Sequence, residues 1–159
     1  GAAADSVLLM TYEWGHAYSP PMAVAPVDQV RRVVEYAVSR IDPAKINLGI
    51  PNYGYDWTLP FTEGAPRART IGNIEAVQQA VEKGAEIYFD ETAQAPYYFY
   101  VEDGVTHEVW FEDVRSISSK FALIEEFGLL GAGYWQLMRL FRANWILAAE
   151  TFHIEGSSM

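Results

Sequence analysis

The chain has 159 residues, of which 50% are hydrophobic, 14% aromatic and 20% charged; that balance excludes disordered, collagen-like and low-complexity architectures and fits one folded domain. Its 21 acidic and 11 basic side chains give a formal charge of -10, and that field disfavours nucleic acid and anionic membrane surfaces as partners while suiting a neutral substrate. With no cysteine there is neither a disulfide nor a thiolate zinc site, no apolar run reaches bilayer length, and no signal peptide is visible.

The chain opens Gly1-Ala2-Ala3-Ala4 rather than on Met and closes Gly156-Ser157-Ser158-Met159, which reads as a fragment with a short tail. Val7 to Trp14 is a short apolar run and predicts a buried strand. Gly15 to Pro26 is a proline-bearing loop, and Pro26 stands where a helix can start without an N–H. Val27, Val30, Val34, Ala37 and Ile41 recur at three- and four-residue steps, so 27–41 is an amphipathic helix, stopped by Asp42-Pro43. Lys45 to Tyr53 is a second strand that runs into an aromatic loop, Asn52-Tyr53-Gly54-Tyr55-Asp56-Trp57. Strand, helix and strand of these lengths make a βαβ unit and imply a parallel sheet.

Residues 58–112 break the rhythm and read as a small α+β insertion. Asn73 is placed to cap a helix carrying Ile74, Val77 and Val81, with Gly84 as its stop. Ile87-Tyr88-Phe89 reads as a strand, and Tyr97 to Val101 and Thr106 to Phe111 flank the hairpin signal Asp103-Gly104. Asp113 then caps a helix with Val114, Ile117, Phe121, Ile124 and Phe127 on one face, closed by Gly128. Gly131 to Leu137 predicts a third strand, and a last helix covers about Ala143 to Phe152 with Trp145, Ala148, Ala149 and Phe152 inward. The fold class is α/β, and three parallel strands make either a small open sheet or part of a larger barrel, since a closed one needs eight.

In parallel α/β sheets ligands bind at the carboxyl ends of the strands. Three clusters fall there: Met10-Thr11-Tyr12-Glu13-Trp14, Asn52 to Trp57, and Tyr134-Trp135-Gln136. Aromatic planes with a few polar tips suit sugars, whose C–H faces stack on rings and whose hydroxyls need donors and acceptors. Plain packing also accounts for an aromatic at any one strand end, and Glu13 and Asp56 also fit surface charges or arginine partners. His16, His107 and His153 lack metal-ligand spacing, His107 fits a cross-strand pair, and neither a phosphate loop nor a nucleophile elbow occurs. No metal or cofactor is expected.

Met10-Thr11-Tyr12-Glu13-Trp14, Asn52-Tyr53-Gly54-Tyr55-Asp56-Trp57, Thr92-Ala93-Gln94-Ala95-Pro96, His107-Glu108-Val109-Trp110-Phe111-Glu112-Asp113 and Gly133-Tyr134-Trp135 together resemble glycoside hydrolase family 18, the chitinase-like hydrolases. Within it the likeness is to the spore-cortex-lytic and spore-germination type of peptidoglycan N-acetylglucosaminidase, and it runs from about residue 5 to 154. The resemblance implies a TIM barrel, with the first, second and third strands here matching the family's sixth, seventh and eighth. Residues 5–57 and 113–154 would be a partial (β/α) barrel and 58–112 an inserted α+β subdomain.

The same resemblance implies substrate-assisted retaining hydrolysis of β-1,4-linked N-acetylglucosamine polymers, peptidoglycan ahead of chitin. Tyr12 would hold the substrate N-acetyl group and Glu13 would sit beside it as the catalytic pair in this chain; Trp135 would floor the sugar, with Tyr53, Tyr55 and Trp57 as subsite walls. The family's proton donor closes an Asp-x-x-Asp-x-Asp-x-Glu run, which this sequence lacks, so the chain alone is expected to be inactive. Where Lys and a Gly-Leu-Pro-Phe-like loop are expected after Tyr134-Trp135, the chain reads Gln136-Leu137-Met138-Arg139-Leu140-Phe141. The cell envelope, the spore or the extracellular space would be its setting. Two other readings remain: a non-catalytic carbohydrate-binding module, and a fragment that self-associates as a homo-oligomer through exposed strand edges.

Overall fold

The first, second and last apolar runs become the strands of one parallel sheet, and the strands between the last two build another. A computed structural model describes residues 3–153; the Gly156-to-Met159 tail lies outside the described residues. In chain order the elements are β1 (Val7–Leu9), α1 (Val27–Val38), β2 (Ile46–Pro51), β3 (Gly54–Thr58), β4 (Arg69–Ile71) and α2 (Asn73–Glu82). They continue with β5 (Tyr88–Asp90), β6 (Ala95–Glu102), β7 (Val105–Trp110), α3 (Val114–Phe127), β8 (Gly131–Trp135) and α4 (Arg142–Thr151).

The first sheet has the order β1-β2-β8 and is parallel throughout, with Leu9 level with Leu48 and Pro51 level with Trp135. Its central strand carries Ile46, Leu48 and Ile50, all fully buried, against Val30 and Val34 of α1, Ile117, Phe121 and Ile124 of α3, and Ala148 of α4. Each such side chain contributes about 1.5–3 kcal/mol by leaving water, so this one face holds the helices on. The five-stranded sheet, β4-β3-β7-β6-β5, is antiparallel throughout. Its core joins Tyr98, Val109 and Phe111 to Ala76 and Ala80 of α2. The expected hairpin forms with Asp103 and Gly104 both at positive φ (51° and 78°), the geometry a tight two-residue turn demands.

Several expectations need correction. The first strand stops at Leu9, not Trp14: Thr11 N–H turns back to the Leu9 carbonyl (2.9 Å) and Thr11 Oγ1 donates to the Gly49 carbonyl (3.0 Å), lifting the chain off the ladder. The aromatic stretch read as a loop is β3, an interior strand of the antiparallel sheet, so that sheet already begins at Gly54, ahead of the expected 58. Gly72, not Asn73, flanks the start of α2, and Glu75 Oε2 accepts from Gly72 N–H (3.3 Å). That helix packs through Asn73, Ala76 and Ala80 while Ile74, Val77 and Val81 are exposed; small side chains let the helix approach the sheet closely. In α4, Asn144 and Ala148 face inward and Ala149 faces out.

Glu112 and Lys120 form an ion pair at 2.9 Å with both side chains 0% exposed. Ser116 Oγ donates to the same Glu112 oxygen at 2.6 Å, and Lys120 also donates to the Ser116 carbonyl at 3.2 Å. Burial pushes the Glu112 carboxyl up, and Lys120 and Ser116 oppose it. Replacing Lys120 by Met leaves a buried carboxylate without its counter-charge, and we expect a loss of about 3–5 kcal/mol in urea unfolding, with much of it recovered in the double variant Lys120→Met, Glu112→Leu. In the single variant the loss should shrink as pH falls, because a protonated Glu112 needs no counter-ion; a loss independent of pH would refute the account.

Candidate functional site

The three parallel strands end on the same side, and the chain that follows each tip bends over a common cavity of about 480 Å3. Tyr12 and Glu13 come from the segment after β1, Tyr53 from the junction after β2, and Trp135 from the end of β8. Tyr55 of β3 completes the wall. The structure thus brings together five of the six residues singled out in the sequence.

Gly49 makes the crossing possible. A Cβ there would lie 2.4 Å from the Leu9 carbonyl oxygen and 2.8 Å from Cε1 of Tyr12, so only glycine lets the Tyr12 ring lie across β2. Glu13 adopts φ 69°, left-handed backbone that costs a non-glycine residue about 1–2 kcal/mol. This bend coincides with a shared acceptor: the hydroxyls of Tyr53 and Tyr55 both donate to Glu13 Oε1, the latter at 2.9 Å. Among the described residues Oε2 takes no hydrogen bond and is left for another donor. The two phenol rings meet edge-on, centroids 5.7 Å apart at 90°.

Burial, then the hydrogen bond to Glu13, raises the Tyr53 phenol far above its ordinary range, and the same two causes push Tyr55 up to about 12. Burial and the Glu13 charge raise Tyr12 as well. All three phenols therefore stay protonated donors across the physiological range. Tyr12 and Trp135 remain accessible, Trp135 with 57% of its surface exposed, so a polar tip and an aromatic face are both presented to the cavity.

Trp57 does not belong there. It is 2% exposed, its Nε1–H donates to the Ser19 carbonyl (2.7 Å), and it packs in a cluster with Ala17, Val24 and Ala68; it pins the 15–26 loop rather than walling a subsite. Tyr53 and Tyr55 are themselves buried, so they offer the cavity hydroxyls rather than ring faces. Asp56 points to the other side of β3, as strand alternation requires. There it accepts from Tyr100 (2.8 Å) and Arg69 (3.4 Å) and lies 2.9 Å from His107 Nδ1, in a second cavity of about 310 Å3. His107 stacks on Tyr100, its cross-strand partner. Among the described residues no three His, Asp or Glu side chains converge as metal ligands.

Sequence reasoning missed Arg67, Thr70 and Arg139, which line the strand-tip cavity together with Gln136 of the third strand-end cluster. Arg67 and Thr70 arrive through β4 and its approach, where nothing in the composition announces a strand. Arg139 lies in the stretch noted only for departing from a pattern.

The family model Glycosyl hydrolases family 18 matches residues 1–139. The chain is 46% identical over 155 residues to the cortical fragment-lytic enzyme of Bacillus subtilis, covering 97% of this chain and 36% of that protein. It is 32% identical over 174 residues to rat di-N-acetylchitobiase, covering 93% of this chain and 46% of that protein. The crystal structure of the Bacillus cereus spore cortex-lytic enzyme SleL superposes with a TM-score of 0.96 at 45% identity, over 99% of this chain and 38% of that one. The chain therefore spans little more than a third of the length of the cortex-lytic proteins it matches, and its fold is a partial TIM-barrel-type α/β domain.

The Glu13 clamp has a measurable signature. Between pH 10 and about 12 the folded chain keeps the Tyr55 proton that an unfolded chain loses. The contribution is therefore whole below pH 10 and lost as pH rises through about 12. We expect the thermal midpoint to fall across this alkaline window, and to fall less steeply in Tyr55→Phe, at a cost of about 1 kcal/mol near neutrality for the lost hydrogen bond. Parallel alkaline profiles for the two proteins would contradict the clamp.

Proposed function

The chain belongs to glycosyl hydrolases family 18, and from that premise we propose that it forms the carboxyl-terminal part of a glycosidase acting on β-1,4-linked N-acetylglucosamine polymers, peptidoglycan ahead of chitin. The observation that carries this reading is the convergence of Tyr12, Glu13 and Trp135 on one cavity at the strand tips, with Glu13 held by two phenols. The name of the Bacillus subtilis relative, at 46% identity, favours cortex peptidoglycan over chitin.

The chemistry is substrate-assisted retention. The N-acetyl oxygen of the sugar attacks the anomeric carbon as the glycosidic bond breaks, and a protonated carboxylic acid gives its proton to the leaving oxygen. Water then opens the cyclic intermediate with retention. Tyr12, kept protonated, donates to the acetamido group and holds its oxygen in line for attack. Glu13 faces the same group with its free Oε2. Trp135 offers a ring face on which the sugar stacks. The general acid is not supplied here: no Asp-x-x-Asp-x-Asp-x-Glu run occurs in the 159 residues. This chain binds and orients, and the acid belongs to a further part of the enzyme.

An alternative draws on the sheet itself. Among the described residues β1 and β8 each have one unpaired edge, and the face opposite the helices exposes Leu8 (47%) and Met10 (73%). Such edges and apolar side chains favour pairing with more of a barrel or with a second copy.

Calorimetry of the purified chain with N-acetylglucosamine oligomers should show binding without turnover, weakened in Tyr12→Phe and lost in Trp135→Ala. Absence of binding would sink the reading. So would hydrolysis by this chain alone that disappears in Glu13→Gln, since the acid would then lie within it. Light scattering should give a mass above that of one chain; a clean monomer would remove self-association.

A further inference from the structure

The strand-tip cavity holds two positive charges that the proposed chemistry does not use. Arg67 and Arg139 both line it, in a chain of formal charge -10. Among the described residues neither has a carboxylate within ion-pair distance, whereas Arg31 and Arg115 each have one and Arg69 has two. Glu13, the acid in the same cavity, is held by Tyr53 and Tyr55 instead. Against the pull of burial, hydrogen bonds to Arg69 and the Gly72 amide lower the Glu75 carboxyl and the charge of Arg139 only helps, so neither cavity guanidinium is locked in an ion pair.

The backbone that carries each is held by hydrogen bonds, and the Arg67 side chain itself is exposed. The Arg139 backbone carbonyl accepts from buried Asn52 Nδ2 (2.9 Å), Asn52 Oδ1 accepts from Asn73 (3.1 Å), and Asn73 Oδ1 accepts from Glu112 N–H (3.1 Å). This chain of amides fixes where the segment after β8 turns. The guanidinium lies over Gly72, where a Cβ would sit 3.2 Å from Nη1. Arg67 precedes Ala68, which is buried and whose N–H donates to the Ala17 carbonyl (2.8 Å). It lines both the strand-tip cavity and the cavity beyond β3, so it stands where a long glycan would pass from one to the other. The stretch that departs from the family pattern, Gln136 to Arg139, is the one that delivers the second cation.

Resting on the glycosidase reading above, we propose that Arg67 and Arg139 make this cavity selective for a glycan that carries a carboxylate, as muramic acid-containing polymers do, over neutral chitin. A guanidinium presents planar paired donors that match a carboxylate and gain more from it than from a neutral hydroxyl. The carboxylate has two sources, the lactyl group of the sugar or the peptide attached to it.

The test is titration of the chain with three glycans at low and high salt. They are the neutral N-acetylglucosamine tetramer, an alternating N-acetylglucosamine–N-acetylmuramic acid tetrasaccharide with free lactyl groups, and the same tetrasaccharide with peptide stems. An acidic glycan should bind about ten-fold more tightly than the neutral one, and the advantage should shrink with salt. It should vanish in Arg67→Glu, an exposed position where folding is checked by circular dichroism, and fall in Arg139→Gln. Preference for the free-lactyl glycan assigns the sugar carboxylate, and preference confined to the stem-bearing glycan assigns the peptide. Equal binding of neutral and acidic glycans, unchanged in Arg67→Glu, overturns the selectivity and leaves the glycosidase reading standing. Binding of none overturns both.

Discussion

Two phenol hydroxyls converge on one carboxylate oxygen of Glu13, and the geometry of the strand-tip cavity follows from that contact. Glu13 comes from the first strand's exit, Tyr53 from the second's, and Tyr55 from the first strand of the other sheet. One acceptor therefore ties the parallel sheet to the antiparallel one at the place where their chain is continuous. A neutral donor is needed on each side, and burial ensures it by raising both phenols. The left-handed backbone at Glu13 is offset by these two bonds, which is how a strained residue persists at one position without spreading strain along the strand.

The second tie between the sheets is a run of buried polar groups. Asn52, Asn73 and Glu112 are each nearly or wholly inaccessible, yet each has partners: Asn52 on the Arg139 carbonyl, Asn73 on Asn52 and on the Glu112 amide, Glu112 on Ser116 and Lys120. Buried amides left unpaired would be costly, so the network admits one arrangement of β8's exit, the start of α2 and the start of α3. An apolar core allows sliding at modest cost; this polar seam does not. It explains why the antiparallel sheet sits at the edge of the strand tips and contributes Arg67 and Thr70 to the cavity rather than standing apart.

The parallel sheet was legible because its physics is local. Val30, Val34 and Ala37 sit at helical spacing, Ile46, Leu48 and Ile50 at strand spacing, and both sets are buried as their periods require. The hairpin was legible for the same reason: Asp103-Gly104 is a turn whichever fold surrounds it. What failed depends on distant partners. Trp57 read as a binding aromatic, but whether such a ring faces a ligand or a loop is decided by what lies opposite, and Trp57 meets the Ser19 carbonyl. In α2 the bulky Ile74, Val77 and Val81 outvoted the alanines in any hydrophobic count, yet a helix lying close on a sheet buries its small residues. Lys120 was invisible because a lysine on a helix defaults to water, and only Glu112, eight residues earlier, reverses that.

The parallel sheet also has an asymmetry that bears on how the cavity is completed. One face is covered by three helices. The opposite face has Gly49 and Gly133 at its centre, where added methyl groups would strike Tyr12 and Leu8. Glycines there lower the floor, so that side chains from the strand exits fold inward over the sheet instead of standing up from it. A surface built this way has small residues below and aromatic and charged groups at one end, and it gains little by facing water alone. Such a lining fits the inside of a partial TIM-barrel-type domain, and among the described residues β1 and β8 each keep one unpaired edge. Tyr12, Glu13, Trp135, Arg67 and Arg139 all line the cavity at the end of this sheet, so a single wall carries aromatic, acidic and basic groups together.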